Sequence, residues 1–359
     1  MYARACRGNG TEGAEVSVML CDDFINYVSG IRRYSPRTQA IYSDVLSRYL
    51  DYFRTEEEPA DDSLLLKSLT PTTIRNYENH LSEEKSLSPR TVNQHLSVLS
   101  SLCKWLVSKG MLKSNPVHLV KRPKCEKRLP VFYRQASMTE YLEKTSPAAD
   151  EESLSMLSDA ADSYHSGASV TGAAYKLMSE LYEPRLKRMI VSTLYLTGIR
   201  RAELIGLRIR DIDHSRHTMK VRGKGDKMRE IPLTLSLSKE ISLYLKAAES
   251  VVGRKRNLEE PFLVTLKGAG LYPVFVDRTV KSELGQVEGI TGRKSPHVLR
   301  HTLATELLDD GSDIYSIKEL LGHSSLAATQ VYTHNTIEKL KNVYSNAHPR
   351  AKRGGKNGD

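Results

Sequence analysis

The sequence has few of the features that mark several large classes of protein. Only four cysteines occur in 359 residues, and no two form a CxxC pair, so neither a disulfide framework nor a zinc knuckle is indicated. No apolar run approaches the roughly 18 residues of a transmembrane helix, and the first residues lack the apolar core of a secretory signal. These absences predict a cytoplasmic protein with no membrane partner.

Negative charge is also in deficit. Lysine and arginine number 53 against 43 acidic residues, which gives a formal net charge of +10. This surplus favours a polyanionic partner, nucleic acid first, although a mildly basic protein without such a partner stays open on charge alone. Since the chain is too long for one ordinary core, two domains are expected.

The N-terminal part contains the string SPRT twice, at 35–38 and 88–91, and a long amphipathic run follows each copy. Serine at the N-cap before proline at the first helical position predicts a helix start. The apolar stripes are Ile41, Val45, Leu46, Tyr49 and Phe53 in the first run, and Val92, Leu96, Leu99, Cys103 and Leu106 in the second. Gly110 is the predicted C-cap of the second run. Shorter runs at 16–29 and 72–84 complete a predicted bundle of four or five helices.

Two segments differ in charge from the chain around them. Residues 115–132, NPVHLVKRPKCEKRLPVF, combine three prolines with dense positive charge, which is typical of an extended interdomain linker. Such a linker would either cross a phosphate backbone as a strap or stay solvated. Residues 145–183 hold seven acidic residues and one base. They are expected to form a solvated insert, with a partner-docking or autoinhibitory element as the alternative.

The C-terminal part has the pattern of helices around one hairpin. RLKRMIVSTLYLTG predicts a helix from 185 to Gly198, and RRAELIGLR begins another. HTMKVRGKGDKMREIPL predicts a β-hairpin around a glycine-rich turn. Further helices are predicted at 234–249, 278–288, 296–310, 313–321, 324–331 and 336–346. The expected fold class is mainly α with a small antiparallel β-sheet.

The stretch HVLRH, 297–301, gathers two histidines and an arginine. In a helix His297, Arg300 and His301 would share one face, as part of a metal site, a buried network or a phosphate clamp. Zinc is disfavoured because Val298 stands where the HExxH pattern needs glutamate. GKGDK also lacks the flanking residues of a phosphate loop. No metal and no cofactor are therefore expected.

A wider set of residues fits a clamp on a phosphodiester. Two arginine forks can grip phosphate oxygens and neutralise a five-coordinate transition state. A lysine can protonate the leaving oxygen, and a tyrosine becomes a nucleophile when positive charge lowers its pKa or a base takes its proton. The C-terminal half contains this order of groups: Arg200, Lys224, His297, Arg300, His323 and Tyr332.

These residues stand in the motifs TGIRRAEL, GKGDKMREIPL, HVLRHTLATELL and LLGHSSLAATQVYTH. The motifs and their intervals closely resemble those of the tyrosine recombinase family, in particular its bacterial Xer-type and integrase branch. The resemblance spans roughly 185–345, and all six expected positions are filled. The N-terminal half resembles the family's core-binding domain more loosely, through the SPRT helices and the NPV that follows them.

The resemblance implies a site-specific DNA recombinase that needs neither ATP nor a metal. Tyr332 would attack the scissile phosphate and form a 3′-phosphotyrosyl link, while Arg200 and Arg300 would clamp that phosphate. Lys224 would protonate the leaving 5′-oxygen, and His297 would handle the proton of the tyrosine. A homotetramer on two double-stranded DNA sites, with or without a second recombinase, would exchange strands through a Holliday junction.

Neighbouring residues receive supporting interpretations. His323 would donate a hydrogen bond to the phosphate. His301 is interpreted as a buried, hydrogen-bonded support. Arg201 and Glu203 are interpreted as structural, and an ion pair with Glu203 is expected to hold Arg200 in place.

The expected layout follows from the charge pattern and the resemblance together. It comprises a disordered lead-in at 1–15 with Met19 as an alternative start, a helical core-DNA-binding domain at 16–115, a basic linker at 116–135, a catalytic domain at 136–346 with the acidic insert at about 145–183, and a disordered tail at 347–359. No arm-binding domain is expected. Further DNA contacts are expected from Arg37, Arg90, Lys121, Arg122, Lys124 and Lys227.

Two alternatives remain open at the level of sequence. One is a type IB topoisomerase, which uses the same tyrosine chemistry on one duplex. The other is a DNA-binding protein of this fold without strand exchange. The biological role also stays open between chromosome-dimer resolution and the integration or inversion of a mobile element.

Overall fold

The computed structural model describes residues 19–54, 61–125, 132–167, 171–223 and 226–322. These residues contain thirteen α-helices and one three-stranded antiparallel sheet, so the expected fold class is confirmed. The chain divides into two compact units, Met1–Arg128 and Leu129–Asp359. In the described residues each unit has a hydrophobic core of its own.

The first unit is a bundle of five helices. They are α1 (Met19–Gly30), α2 (Pro36–Phe53), α3 (Asp62–Ser68), α4 (Pro71–Asn79) and α5 (Pro89–Ser108). Both SPRT predictions are confirmed, because Ser35 and Ser88 accept hydrogen bonds from backbone N–H groups in the first turns of α2 and α5, at 3.3 Å each. Gly110 has a φ of +74° just beyond α5, the left-handed conformation that commonly ends a helix at glycine.

The described part of the predicted linker 116–135 is not an extended, solvated chain. Val117 and Val120 are buried in the core of the first unit. The side-chain amide of Asn93 on α5 donates a hydrogen bond to the carbonyl of Pro123 at 2.9 Å. The linker interpretation considered the prolines and charges and overlooked two valines, whose burial ties this segment to α5.

The second unit surrounds a small sheet with helices. The helices are α6 (Gln135–Lys144), α7 (Glu151–His165), α8 (Thr171–Thr197), α9 (Arg201–Gly206), α10 (Leu235–Val252), α11 (Pro273–Gly285), α12 (Pro296–Asp309) and α13 (Ile314–Leu321). Strands β1 (Ile212–Asp213), β2 (Thr218–Arg222) and β3 (Met228–Pro232) pair in the order β1-β2-β3. The predicted hairpin is β2 and β3, with Met219 opposite Ile231.

Several boundaries differ from the sequence prediction. Helix α6 and strand β1 were not predicted, and α11 begins before the predicted 278. The predicted helices at 324–331 and 336–346 lie outside the described residues.

The acidic segment 145–183 was wrongly predicted to be a solvated insert. Its helix α7 buries Leu157 and Ala161 in the core of the second unit. Helix α8 runs from the acidic segment into the predicted helix at 185 and buries Tyr182 completely. All seven acidic side chains are exposed; Asp150 caps the start of α7 and the other six lie on the outer sides of the two core helices. The prediction began the helix at 185 because Pro184, which lacks a backbone N–H, stands just before it.

Candidate active site

Three arginines from separate elements meet at the C-terminal end of α13. Arg200 is the N-cap residue of α9, Arg229 lies on β3 and Arg300 lies on α12. The contacts are Arg229 Nε to the Leu320 carbonyl at 3.1 Å, Arg300 Nη2 to the Leu321 carbonyl, and Arg200 Nη2 to the Gly322 carbonyl at 2.9 Å. The last carbonyls of a helix lack intrahelical partners and carry the negative end of its dipole, so cations are stabilised there.

The backbone approaches closely where these arginines converge. Gly198 has a φ of +63°, and a Cβ at this position would lie 2.5 Å from Leu321 Cδ2. Its carbonyl accepts a hydrogen bond from Arg300 Nη1 at 2.6 Å. Gly322, the C-cap of α13, has a φ of +66°. Only glycine adopts these conformations at little cost, so the two glycines hold the loop before Arg200 against the end of α13.

Glu203 is the acidic partner of this cluster. Its carboxylate accepts hydrogen bonds from the backbone N–H and Nη1 of Arg200 at 2.8 and 2.7 Å. It also accepts two from Arg229, at 3.0 and 2.7 Å. Burial by itself would raise the pKa of Glu203, but the hydrogen bonds from Arg229 and Arg200 outweigh it and lower the pKa to about 2. The expected ion pair between Glu203 and Arg200 is confirmed.

The arginine cluster, defined as Arg200, Arg229 and Arg300, carries more positive charge than Glu203 balances. Burial and the charges of Arg200 and Arg229 lower the pKa of Arg300 to about 10, which still leaves its guanidinium charged at neutral pH. Arg300 is only 7% exposed. A buried surplus of guanidinium charge favours a bound anion, and the fork geometry of arginine matches phosphate oxygens.

His297 and Arg300 lie on the same helix but differ in exposure. His297 is exposed, whereas Arg300 is buried, so the predicted common face is the border between the outer and inner sides of α12. Partial desolvation, followed by the charges of Arg300 and Arg201, lowers the pKa of His297 below 6.5. The imidazole is therefore neutral at pH 7 and can accept a proton.

His301 was wrongly interpreted as a buried support. It lies four residues after His297, one helical turn along the exposed side of α12, and it is exposed. The buried side of this helix is formed by Leu299, Leu303 and Leu307 together with Arg300.

Arg201 contacts a different element from Arg200. Its guanidinium pairs with the carboxylate of Asp277 on α11, so it ties the start of α9 to that helix. This ion pair agrees with the structural interpretation of Arg201.

Half of the expected catalytic set lies outside the described residues, namely Lys224, His323 and Tyr332. Lys224 directly follows Gly223, whose N–H donates to the Lys227 carbonyl at 2.8 Å. His323 directly follows Gly322. The structure therefore brings Arg200, Arg300 and His297 together and describes the backbone that leads to two of the others.

The residues expected to contact DNA along its backbone are all exposed. They are Arg37, Arg90, Lys121, Arg122 and Lys124 in the first unit and Lys227 in the second. Arg37 and Arg90 lie in the first turns of α2 and α5. The segment 121–124 lies in a shallow groove with Arg75, and Arg122 donates a hydrogen bond to Ser97 on α5 at 2.9 Å.

The described residues contain neither a candidate membrane span nor a candidate metal cluster. None of their helices is long and apolar enough to cross a membrane. Within the same ranges, no three histidine, cysteine, aspartate or glutamate side chains are arranged to hold a metal ion.

Comparison with known proteins agrees with this geometry. The phage integrase family matches residues 173–339, and the phage integrase N-terminal SAM-like domain matches residues 20–111. The tyrosine recombinase XerC of Chlorobaculum parvum is 30% identical over 335 residues, which cover 92% of this chain and 94% of that relative. The chain belongs to the phage integrase family of tyrosine recombinases.

Further relatives agree with this assignment. The tyrosine recombinase XerC of Bacillus subtilis is 30% identical to this chain over 332 residues, which cover 91% of this chain and 95% of that relative. The solved structure of the Tn1549 transposon integrase in complex with transposon right end DNA shares the fold, with a TM-score of 0.59 and 17% identity over 93% of this chain and 97% of that one. The predicted resemblance to the tyrosine recombinases, with its Xer-like character, is confirmed.

Sequence reasoning did not identify Arg229. The signal was present, since Arg229 precedes Ile231 by two residues on β3 and alternate residues of a strand share a face. Ile231 belongs to the core. An arginine in phase with a core isoleucine must be buried, and a buried guanidinium needs acceptors close by.

Proposed function

We propose that this recombinase is a site-specific DNA recombinase that cleaves and rejoins DNA through a 3′-phosphotyrosyl intermediate. The observation that carries the proposal is the arginine cluster, which holds more positive charge than Glu203 balances, beside His297. A phosphodiester of DNA is the anion that such a site fits. The XerC relatives support the same conclusion, because their names identify them as tyrosine recombinases.

In the proposed reaction, Tyr332 is the nucleophile. Its oxygen forms a bond to the scissile phosphorus, and His297 accepts the phenolic proton. The bond from phosphorus to the 5′-oxygen breaks, and Lys224 donates a proton to that oxygen, which leaves as a hydroxyl. The phosphodiester is exchanged for a phosphotyrosyl diester, so the reaction requires neither ATP nor hydrolysis. The 5′-hydroxyl of a second strand reverses the step.

Arg200 and Arg300 stabilise the transition state of this step. The five-coordinate phosphorus carries more negative charge than the ground state, and guanidinium groups held in place by hydrogen bonds stabilise that charge strongly. In the free protein these groups donate to carbonyls of residues 198, 321 and 322. Phosphate oxygens take the place of some of these acceptors, and His323 adds a hydrogen bond.

Recombination further requires assembly on DNA. We propose a homotetramer on two duplex sites, with or without a second recombinase, that exchanges strands in two halves through a Holliday junction. The exposed arginines and lysines at positions 37, 90, 121, 122, 124 and 227 would bind phosphates outside the scissile position. The affinity for DNA would therefore fall steeply as the salt concentration rises. The DNA site decides between chromosome-dimer resolution and the integration or inversion of a mobile element.

Covalent trapping tests the proposal. Nicked duplexes made from the DNA of the source organism are incubated in EDTA with wild type and with Tyr332→Phe, and adducts are separated on a denaturing protein gel. The cleaved fragment diffuses away from the nick, so adducts accumulate, and sequencing the trapped DNA identifies the site. We expect adducts with wild type alone. Intact DNA binding with no adduct on any fragment would refute tyrosine chemistry by this protein.

Synapsis separates a recombinase from a topoisomerase. Once the site is known, a plasmid with one copy and a plasmid with two copies are incubated with wild type. We expect deletion or inversion products that depend on the second copy. Relaxation of the one-copy plasmid without any recombinant product from the two-copy plasmid would instead indicate a type IB topoisomerase.

A further inference from the structure

The guanidinium of Arg229 joins two parts of the active site. Its Nη1 and Nη2 donate to the two carboxylate oxygens of Glu203 at 3.0 and 2.7 Å. Its Nε donates to the Leu320 carbonyl at the end of α13, at 3.1 Å. Glu203 in turn holds Arg200 through the backbone N–H and Nη1. One rigid side chain therefore links the N-cap of α9 with the C-terminal end of α13.

The same guanidinium also lies near two glycines. A Cβ at Gly322 would lie 3.2 Å from Arg229 Nη1 and 3.3 Å from its Cδ and Cζ. A Cβ at Gly223 would lie 3.4 Å from Nη1. These glycines directly precede His323 and Lys224 in the chain. The backbone that leads into both of those residues therefore lies close to this guanidinium, with little room for a side chain between them.

Arg229 is not placed to act on the phosphate itself. Its Nε, Nη1 and Nη2 all donate to acceptors within the protein. Arg229 donates from all three of its nitrogens, whereas the side-chain hydrogen bonds described for Arg200 and Arg300 come from Nη1 and Nη2 alone. A planar fork with three fixed acceptors sets distances between segments, which the flexible ammonium of lysine cannot reproduce.

We propose that Arg229 is a positioning residue, which sets the placement of Arg200 relative to the backbone entering Lys224 and His323. This inference rests on the proposed function, because Arg229 would act only through residues to which that proposal assigns the chemistry. Stabilisation of a transition state depends on donors held in place before the reaction. Loss of Arg229 therefore lowers the rate constant of cleavage. The affinity for DNA depends on exposed lysine and arginine side chains and is unchanged.

Single-turnover cleavage of a nicked duplex tests the role. Wild type, Arg229→Ala and Arg229→Lys are compared at saturating DNA, and each progress curve gives an amplitude and a rate constant. The amplitude reports the fraction of folded, competent protein, and the rate constant reports the geometry of the assembled site. We expect Arg229→Ala to lower the rate constant about 10²-fold with an unchanged Kd for DNA. Arg229→Lys should recover amplitude more fully than rate.

Arg256→Ala is the matched control. Arg256 is an arginine of the same unit, 8% exposed, and it donates to the carbonyls of Pro261 and Phe262, between α10 and α11. Its loss should lower the amplitude and leave the rate constant unchanged. If Arg229→Ala behaves in the same way as Arg256→Ala, Arg229 is only structural and the inference is overturned. Where Arg229→Ala does not fold, Arg229→Lys takes its place in this comparison. A weaker Kd that accounts for the slower cleavage would also overturn it.

The two proposals fail in different ways. If wild type itself forms no adduct with DNA that it binds, the proposed function is wrong, and the positioning role is overturned with it. If wild type cleaves and the Arg229 variants cleave with its rate constant, the proposed function stands and the inference alone is refuted.

Discussion

The hydroxyl of Tyr195 lies 2.9 and 2.7 Å from the two carboxylate oxygens of Glu306. The pair joins α8 to α12, the helix that carries His297 and Arg300, and both residues are buried. Burial is the main cause that raises the pKa of Glu306 to about 7, with nearby aspartates adding to it and Tyr195 opposing it. The stability of the second unit should therefore depend on pH near neutrality.

Glu306→Gln tests this dependence. In the unfolded chain the carboxyl ionises near pH 4.5 and in the folded protein near 7, so the neutral form stabilises the fold at low pH. That stability is lost as pH rises from about 4.5 to 7, by about 3 kcal/mol. We expect the free energy of unfolding of Glu306→Gln, measured by urea denaturation, to rise relative to wild type over this window and to level off above it.

A control separates this effect from a change in surface charge. Asp159→Asn removes an exposed carboxylate on α7 and should leave the pH dependence of unfolding unchanged. Parallel curves for wild type and Glu306→Gln would contradict the prediction.

Gly198, two residues before Arg200, should be important for the stability of the folded protein. A methyl group at Gly198 meets a left-handed backbone and the Leu321 side chain at 2.5 Å. We expect Gly198→Ala to lower the free energy of unfolding by about 2 kcal/mol or more. Gly285→Ala is the matched control, because Gly285 ends α11 with a negative φ and open space around a Cβ. Alanine there should raise stability by about 0.5 kcal/mol. Equal effects at both sites would contradict the argument.

The rate of DNA cleavage should fall only at a pH below the ordinary pKa of histidine. Partial desolvation and neighbouring arginines lower the pKa of His297 from 6.5, so the base form persists as pH falls through that value. Adduct formation at low DNA concentration reports the free protein, and we expect its acidic limb below pH 6.5. His301→Ala, on the same exposed side of α12, should keep this profile. A limb above 6.5, or one that survives in His297→Gln, would exclude His297 as the base.

The basic segment 121–124 should account for part of the salt dependence of DNA binding. Lys121, Arg122 and Lys124 are exposed, and each phosphate contact that is lost removes about one counterion from the release. We expect the triple alanine variant to reduce the slope of log K against log salt by roughly 3. Lys176→Ala, which removes an exposed lysine paired with Glu180 on α8, should leave the slope unchanged. An unaltered slope in the triple variant would place this segment away from DNA.

Local features of the fold could be predicted from the sequence, because the interactions that cause them join residues only a few positions apart. Ser35 and Ser88 cap their helices through N–H groups three residues further on, and the glycine-rich turn separates two strands that pair with each other. The motifs around Arg200, His297 and Arg300 also predicted the family, because the chemistry of phosphate transfer requires these residue types. The roles of Lys224, His323 and Tyr332 stay predictions.

Contacts between distant segments were decided by the tertiary structure alone. The acidic helix α7 belongs to the core because Leu157 and Ala161 find partners there, which a count of charges does not reveal. Arg229 is buried because Glu203 and the Leu320 carbonyl, 26 positions before it and 91 after it, supply acceptors for its guanidinium. The capped helices, the hairpin and the reactive residue types all follow from the order of residues along the chain. Only packing decided which charges are buried together, because the cost of burying a charge depends on partners that the chain brings from far away.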